Sequence, residues 1–193
     1  MIKLFHSSVL SIFLLFSTSA FGAWPKSDAD FSRLPPYCKA RSSGDKSQLY
    51  QTWKKRLGSN FIHYHHYCAG LHSINLANSS ISKDEADKFR NEALKQIEYV
   101  LTHGKPDSLL MPKILYDRGQ ILERLGNNAE AMQAYQKGIT LNPRLAPLYA
   151  ALSDLLMKQN NKEEAIAILK KGLHYKPDSK SLKKRMEKLN KHN

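Results

Sequence analysis

Ala131, Tyr135, Gly138 and Pro143 recur as Ala165, Leu169, Gly172 and Pro177, each moved by 34 residues. That length makes two short helices with their turns, and a hairpin of this size cannot bury its own apolar face. Copies must stack. The period therefore predicts an all-α, short solenoid of helical hairpins, and it favours a binding surface over a catalytic pocket.

The residue types suit stacked hairpins. Small residues at Gly119, Ala131 and Gly138 let paired helices approach closely, while Leu115, Leu122, Tyr135 and their counterparts fill the seam between hairpins. Asn127-Asn128 and Asn160-Asn161 fall where each hairpin turns, and Asn tolerates turn conformations. Pro143 and Pro177 stop the second helices. Beyond Pro177, Ser179 is placed to cap a last helix bearing Leu182, Met186 and Leu189, with Lys180, Lys183, Lys184, Arg185 and Lys188 around it. Such a helix covers the exposed end of an array.

Upstream the pattern changes. From Trp24 to Asp45 the chain carries Pro25, Pro35, Pro36, Ser42, Ser43 and Gly44 with little apolar periodicity. It reads as an extended, irregular arm lying against the helices through Leu34, Tyr37 and Cys38. Leu49, Trp53 and Leu57 then form one stripe on a short helix that ends at Gly58. A longer helix over 61–77 is rich in aromatic residues and histidines. Ser82 and Glu85 have the spacing of a capping box, and the helix they open carries Ala86, Phe89, Ala93, Ile97 and Val100 before stopping at Gly104. These two helices make an altered first hairpin, because Pro106 falls one residue late for the period. The expected divisions are a leader at 1–22, an arm with a short helix at 23–60, the altered hairpin at 61–112, repeats at 113–146 and 147–180, and a basic capping helix at 181–193.

The region from Lys113 to Lys180 resembles tandem tetratricopeptide repeats, whose pattern is W-x2-L-G-x2-Y, then A-x3-F, then a closing Pro. Leu115, Gly119, Leu122, Ala131, Tyr135, Gly138 and Pro143 match in the first copy; Tyr149, Leu152, Leu156, Ala165, Leu169, Gly172 and Pro177 match in the second. Ser153 stands where Gly is usual. Arg118 stands where Leu is usual, so its stem is expected to snorkel out of a tight seam. The resemblance implies an inner groove lined by Lys113, Tyr116, Gln120, Glu123 and Arg124 in the first copy, and by Ala150, Asp154, Met157 and Lys158 in the second. Some members clamp a C-terminal carboxylate with a Lys and Asn set; Ala150 and Asp154 occupy two of its places, which disfavours that role. A mixed-charge groove with Tyr116 and Met157 suits an extended peptide or a partner helix.

Lys3, the apolar run from Val9 to Phe16 and the small residues Ser17 to Ala23 have the layout of a cleavable secretory leader. The run is far short of the roughly 20 apolar residues that a membrane span needs. An exported chain works in an oxidising compartment, so its only two cysteines, Cys38 and Cys68, are expected to form a disulfide. The expected location is periplasmic or secreted. The net charge of +13 makes acidic partners worth weighing, and export argues against nucleic acid. The charge gathers at both ends, so a basic binder of polyanions or, weakly, of an anionic membrane surface is a further reading.

His63, His65, His66 and His72 are the one constellation with metal-ligand chemistry, and His65, Cys68 and His72 share a helical face. A disulfide at Cys68 removes the thiolate. What is left has no recognised ligand spacing, so a metal-delivery role is the alternative and no cofactor is expected. There is no phosphate loop, G-x-S-x-G or H-E-x-x-H, and no enzyme is expected. The leading expectation is an exported adaptor, scaffold or assembly factor that holds another protein of the cell envelope.

Overall fold

A computed structural model describes residues 24–191, so the expected leader lies outside the described residues. Within them every regular element is helical: α1 (Asp28–Ser32), α2 (Pro36–Ser42), α3 (Gln48–Leu57), a 3-10 turn (Ser59–His63), α4 (Tyr64–Ser79), α5 (Lys83–His103), α6 (Met111–Arg124), α7 (Asn128–Leu141), α8 (Ala146–Lys158), α9 (Lys162–Tyr175) and α10 (Lys180–Asn190). Three hairpins, α4–α5, α6–α7 and α8–α9, pack in succession, and α10 closes the row against α8 and α9.

The turns repeat at the same 34-residue interval as the helices. Gly126 and Asn160 occupy equivalent places and both have positive φ, 86° and 60°. Gly enters that left-handed region without strain and Asn is among the few other residues that enter it readily. The following residues, Asn127 and Asn161, are the N-caps of α7 and α9. Asn142 and Lys176 end those helices in extended conformations, with φ of −144° and −139°, as the residue before a proline must.

Close approach decides where small residues stand. A Cβ on Gly119 would lie 2.2 Å from the Tyr135 ring, and one on Gly138 would meet the Leu148 methyl groups at 2.8 and 2.9 Å. The core divides in character along the row. Tyr37, Tyr50, Phe61, Tyr64 and Tyr67 fill the N-terminal part, whereas Leu148, Leu152, Leu155, Leu156 and Leu169 fill the C-terminal part.

Three local expectations are corrected. The stretch from Trp24 to Asp45 is not extended: it holds α1 and α2. Ser27 and Asp30 form a reciprocal capping box that satisfies the first amides of α1, and Pro36 takes the first position of α2, where its missing N–H costs nothing. The stripe of α3 keeps Trp53 and Leu57 but begins at Tyr50, which is buried, in place of Leu49, which is 43% exposed. Tyr50 packs on Phe61 at 5.0 Å between centroids, which fixes that face inward. Arg118 does not snorkel away. Its Nε donates to Glu98 Oε1 on α5 at 2.5 Å, and its other arm reaches Glu130 on α7 at 3.4 Å, so the charge ties two hairpins together.

Cys38 on α2 and Cys68 on α4 are joined by a disulfide, with Cα atoms 5.5 Å apart and a sequence separation of 30. Further contacts spread the hold of α4 on the arm. Asn75 Nδ2 donates to the Arg33 carbonyl at 3.2 Å, and Tyr37 stacks on Tyr67. Arg41 donates from two nitrogens to the Ile62 carbonyl in the adjoining 3-10 turn.

Candidate functional site

The first helices α4, α6, α8 and α10 stand side by side, and Tyr116 of α6 sits where two clefts between them meet. One, of 170 Å³, is lined by Ile74, Asn78, Arg90, Tyr116, Gln120 and Arg124 among others. The second, of 260 Å³, runs from Tyr116 and Gln120 to Ala150, Asp154, Ser181 and Arg185. A third, of 240 Å³, joins Asp154 and Met157 to Arg185 and Leu189. Of the groove residues expected from the sequence, Tyr116, Gln120, Arg124, Ala150, Asp154 and Met157 therefore line clefts.

The remaining three are held in charge pairs. Lys113 pairs with Asp117 and lies 5.3 Å from the centre of the Tyr116 ring, while the buried Asp117 also accepts from Tyr67 on α4 at 2.5 Å. Lys158 of α8 donates to Glu123 Oε1 at 2.5 Å. The other Glu123 oxygen accepts from Tyr135 Oη at 3.0 Å, and Gln120 donates to that same hydroxyl at 3.0 Å. Burial, reinforced by the Glu123 charge, pushes the Tyr135 hydroxyl well above its ordinary pKa, so it stays a donor at any physiological pH. These bonds fix the groove floor before any partner arrives.

Sequence reasoning missed the contributions of α4, α5 and α10, chiefly Ile74 and Asn78 of α4, Arg90 of α5 and Arg185 of α10. Arg185 makes a forked pair with Asp154, Nε at 2.8 Å and Nη2 at 2.7 Å from its oxygens. A signal for α10 was present: Leu182 and Leu189 stand 34 residues after Leu148 and Leu155. The period thus continues one half-step further, and α10 occupies the place of a first helix. No comparable signal marks Arg90.

The histidines take another role. His65, Cys68 and His72 do lie along one face of α4, and the arm covers that face: Trp24 stacks on His65 at 5.5 Å, Cys38 bonds Cys68, and Asp30 comes within 4.0 Å of His72. His66 is sandwiched between His65 and Tyr99, donates from Nδ1 to Gln96 Oε1 at 2.6 Å, and Tyr99 stacks in turn on His103. Among the described residues no three His, Cys, Asp or Glu side chains are grouped to hold a metal ion. The rings of His63, His65, His66 and His72 are instead engaged in contacts with one another, with Tyr99 and His103, and with the arm.

This packing has a pH consequence. Burial, with the neighbouring His66 and Arg41, holds His65 down to about 4 from an ordinary 6.5, and burial beside His103 and His66 also lowers His63. Between these limits the unfolded chain binds protons that the folded chain refuses, so stability rises with pH. The contribution is complete above pH 6.5 and is lost as pH falls through that value towards about 4. Chemical denaturation at a series of pH values is expected to show this slope. His65→Gln should flatten it, and an unchanged slope would show that His65 does not carry it.

The sequence profile of the tetratricopeptide repeat matches residues 122–189. The fold matches the crystal structure of TTC0263, a thermophilic tetratricopeptide-repeat protein of Thermus thermophilus, with a TM-score of 0.59 over 74% of this chain and 70% of that chain, at 16% identity. Residues 122–189 thus match the tetratricopeptide-repeat family, and the fold is that of a tetratricopeptide-repeat solenoid. No curated protein matches the chain. The matched segment starts in α6 and ends in α10, so the tetratricopeptide profile takes in α10 and leaves the arm and the α4–α5 hairpin outside.

Proposed function

We propose that this protein is an exported, non-catalytic tetratricopeptide-repeat scaffold of the cell envelope that holds an extended peptide or a helix of a partner protein in the groove of α4, α6, α8 and α10. The observation that carries this reading is Tyr116, a half-buried aromatic at the junction of two clefts, with an ammonium over its ring and a pre-built hydrogen-bonded floor beside it. Aromatic anchors set in rigid grooves are where binding energy concentrates. Export is supported by the leader pattern at 1–22 and by a disulfide that uses both cysteines. The apolar side of α10 does not support a membrane-lying role for that helix, because Leu182 and Leu189 are buried within the array.

A photo-reactive residue placed at Tyr116 or Met157 in living cells tests the reading, with Gln133 and Lys137 on the exposed side of α7 as controls. The groove positions are expected to capture a reproducible envelope protein that the control positions do not. Capture of the same proteins from both faces, or of none, would overturn the groove. A cytoplasmic partner would overturn the location.

A further inference from the structure

We infer that the cleft between the end of α3 and the α5–α6 loop binds the phosphate of an anionic phospholipid headgroup at a membrane surface. The inference is independent of the partner groove. This cleft, of 350 Å³, is lined by Lys55, Arg56, Gly58, Lys105, Asp107, Ser108 and Leu109, among others. Three of those side chains are cations and one is an acid. Lys55 and Lys105 enter none of the ion pairs among the described residues, and Arg56 lies 4.9 Å over the Trp53 ring. No Asp or Glu occurs between Asp45 and Asp84, so the Lys54-Lys55-Arg56 run has no local carboxylate on its own stretch of chain.

The cluster is held in place. Asn60, buried under the cleft, accepts from the Lys105 amide and donates to the Lys105 carbonyl, each at 2.9 Å. Gly104 permits this approach, for a Cβ there would lie 3.2 Å from Asn60 Nδ2 and 2.6 Å from the Val100 carbonyl. Tyr64 pins the other end of the loop by donating to Ser108 Oγ at 3.0 Å. The backbone that carries Lys105 is thus fixed opposite the end of α3 by buried bonds, three cations face one acid around the cavity, and an anion is what relieves their repulsion. The rim favours a lipid as the source of that anion: Leu109 is 70% exposed beside Lys105, and an apolar side chain among cations matches the layered chemistry of a bilayer surface.

Co-sedimentation of the purified, oxidised protein with vesicles of phosphatidylglycerol and phosphatidylcholine in equal parts, against phosphatidylcholine alone, tests this. Association is expected only with the anionic vesicles, and it should weaken steeply with salt. Lys55→Gln with Lys105→Gln should reduce it roughly tenfold or more, since each cation near such a surface contributes about fivefold. Leu109→Ser should reduce it as well. Lys183→Gln with Lys184→Gln, the same charge removed from α10, should leave it within about twofold, and equal loss from both pairs would overturn the site in favour of diffuse charge. Calorimetry with glycerol 3-phosphate and with poly-glutamate separates the other sources. Binding of either without vesicle association, or no association at all, would overturn the lipid assignment.

Discussion

Replacing Cys38 and Cys68 together by serine is expected to lower stability by about 3 to 4 kcal/mol, the chain-entropy cost of releasing a loop of 30 residues. For a chain of this length that is a fall of roughly 10 °C in the melting temperature. The loss should be local before it is global. The arm is short, α1 buries no residue and α2 buries three, so with the bond gone it is held by side-chain contacts alone, among them Trp24 on His65, Asp30 beside His72, the Tyr37 stack, the Arg41 bonds and the Asn75 bond. In a linear array each unit leans only on its neighbours. Hydrogen exchange in the serine variant should therefore rise first over residues 24–57 and leave the α6–α10 amides protected. An unchanged melting temperature, or a uniform rise in exchange, would contradict the stapling role. Thermal melts of the two proteins in the same buffer make the comparison.

Gly119→Ala is expected to cost about 2 to 3 kcal/mol, although alanine is the better helix former by about 1 kcal/mol. The added methyl would meet the edge of the Tyr135 ring at 2.2 Å. That ring cannot swing aside, because it is fully buried and its hydroxyl is engaged by Gln120 and Glu123. Gly138→Ala provides the contrast. Its methyl meets the ends of the Leu148 side chain, which can rotate, and the Pro112 carbonyl at 3.4 Å, so the change should stay within about 1 kcal/mol of neutral. The second repeat shows a different solution at the same two places, with Ser153 and Leu169 both buried where the first has Gly119 and Tyr135. Moving that pair into the first repeat, as Gly119→Ser with Tyr135→Leu, should recover part of what Gly119→Ser alone loses. Urea midpoints for these variants measure the coupling. Equal costs for Gly119→Ala and Gly138→Ala would refute the steric account.

The repeats were legible because their determinants are local and periodic. Gly119, Ala131, Gly138 and the prolines mark close approach and helix ends at fixed intervals, and each mark needs only its own chain neighbours to be interpreted. The disulfide was legible for another reason: with only two cysteines and an oxidising compartment expected, no competing pairing exists. Where the determinants were local but quiet, they were passed over. Ser27 and Asp30 have capping-box spacing, yet the surrounding prolines and serines dominate the pattern of the arm. At α3, adjacent Leu49 and Tyr50 are both apolar enough to lead the stripe, and the Tyr50 contact with Phe61 selects Tyr50. The charge pairs between helices were not legible, since Arg185 and Asp154 lie 31 residues apart, Lys158 and Glu123 lie 35 apart, and Arg118 and Glu98 lie 20 apart. Long charged side chains choose partners by three-dimensional proximity, which periodicity does not encode.

The two ends of the row differ in kind, and that asymmetry bears on how such a chain can change in length. The N-terminal face of α4 is closed by a covalent bond, whereas α10 takes up a position that any further first helix could occupy, secured on the groove side by the Arg185–Asp154 fork. A duplicated unit inserted ahead of Pro177 meets the same α9 surface that α10 meets now and carries α10 outward by one step. Growth by duplication is thus open in one direction only, and a lineage of such proteins would share a common origin point and vary at the tail.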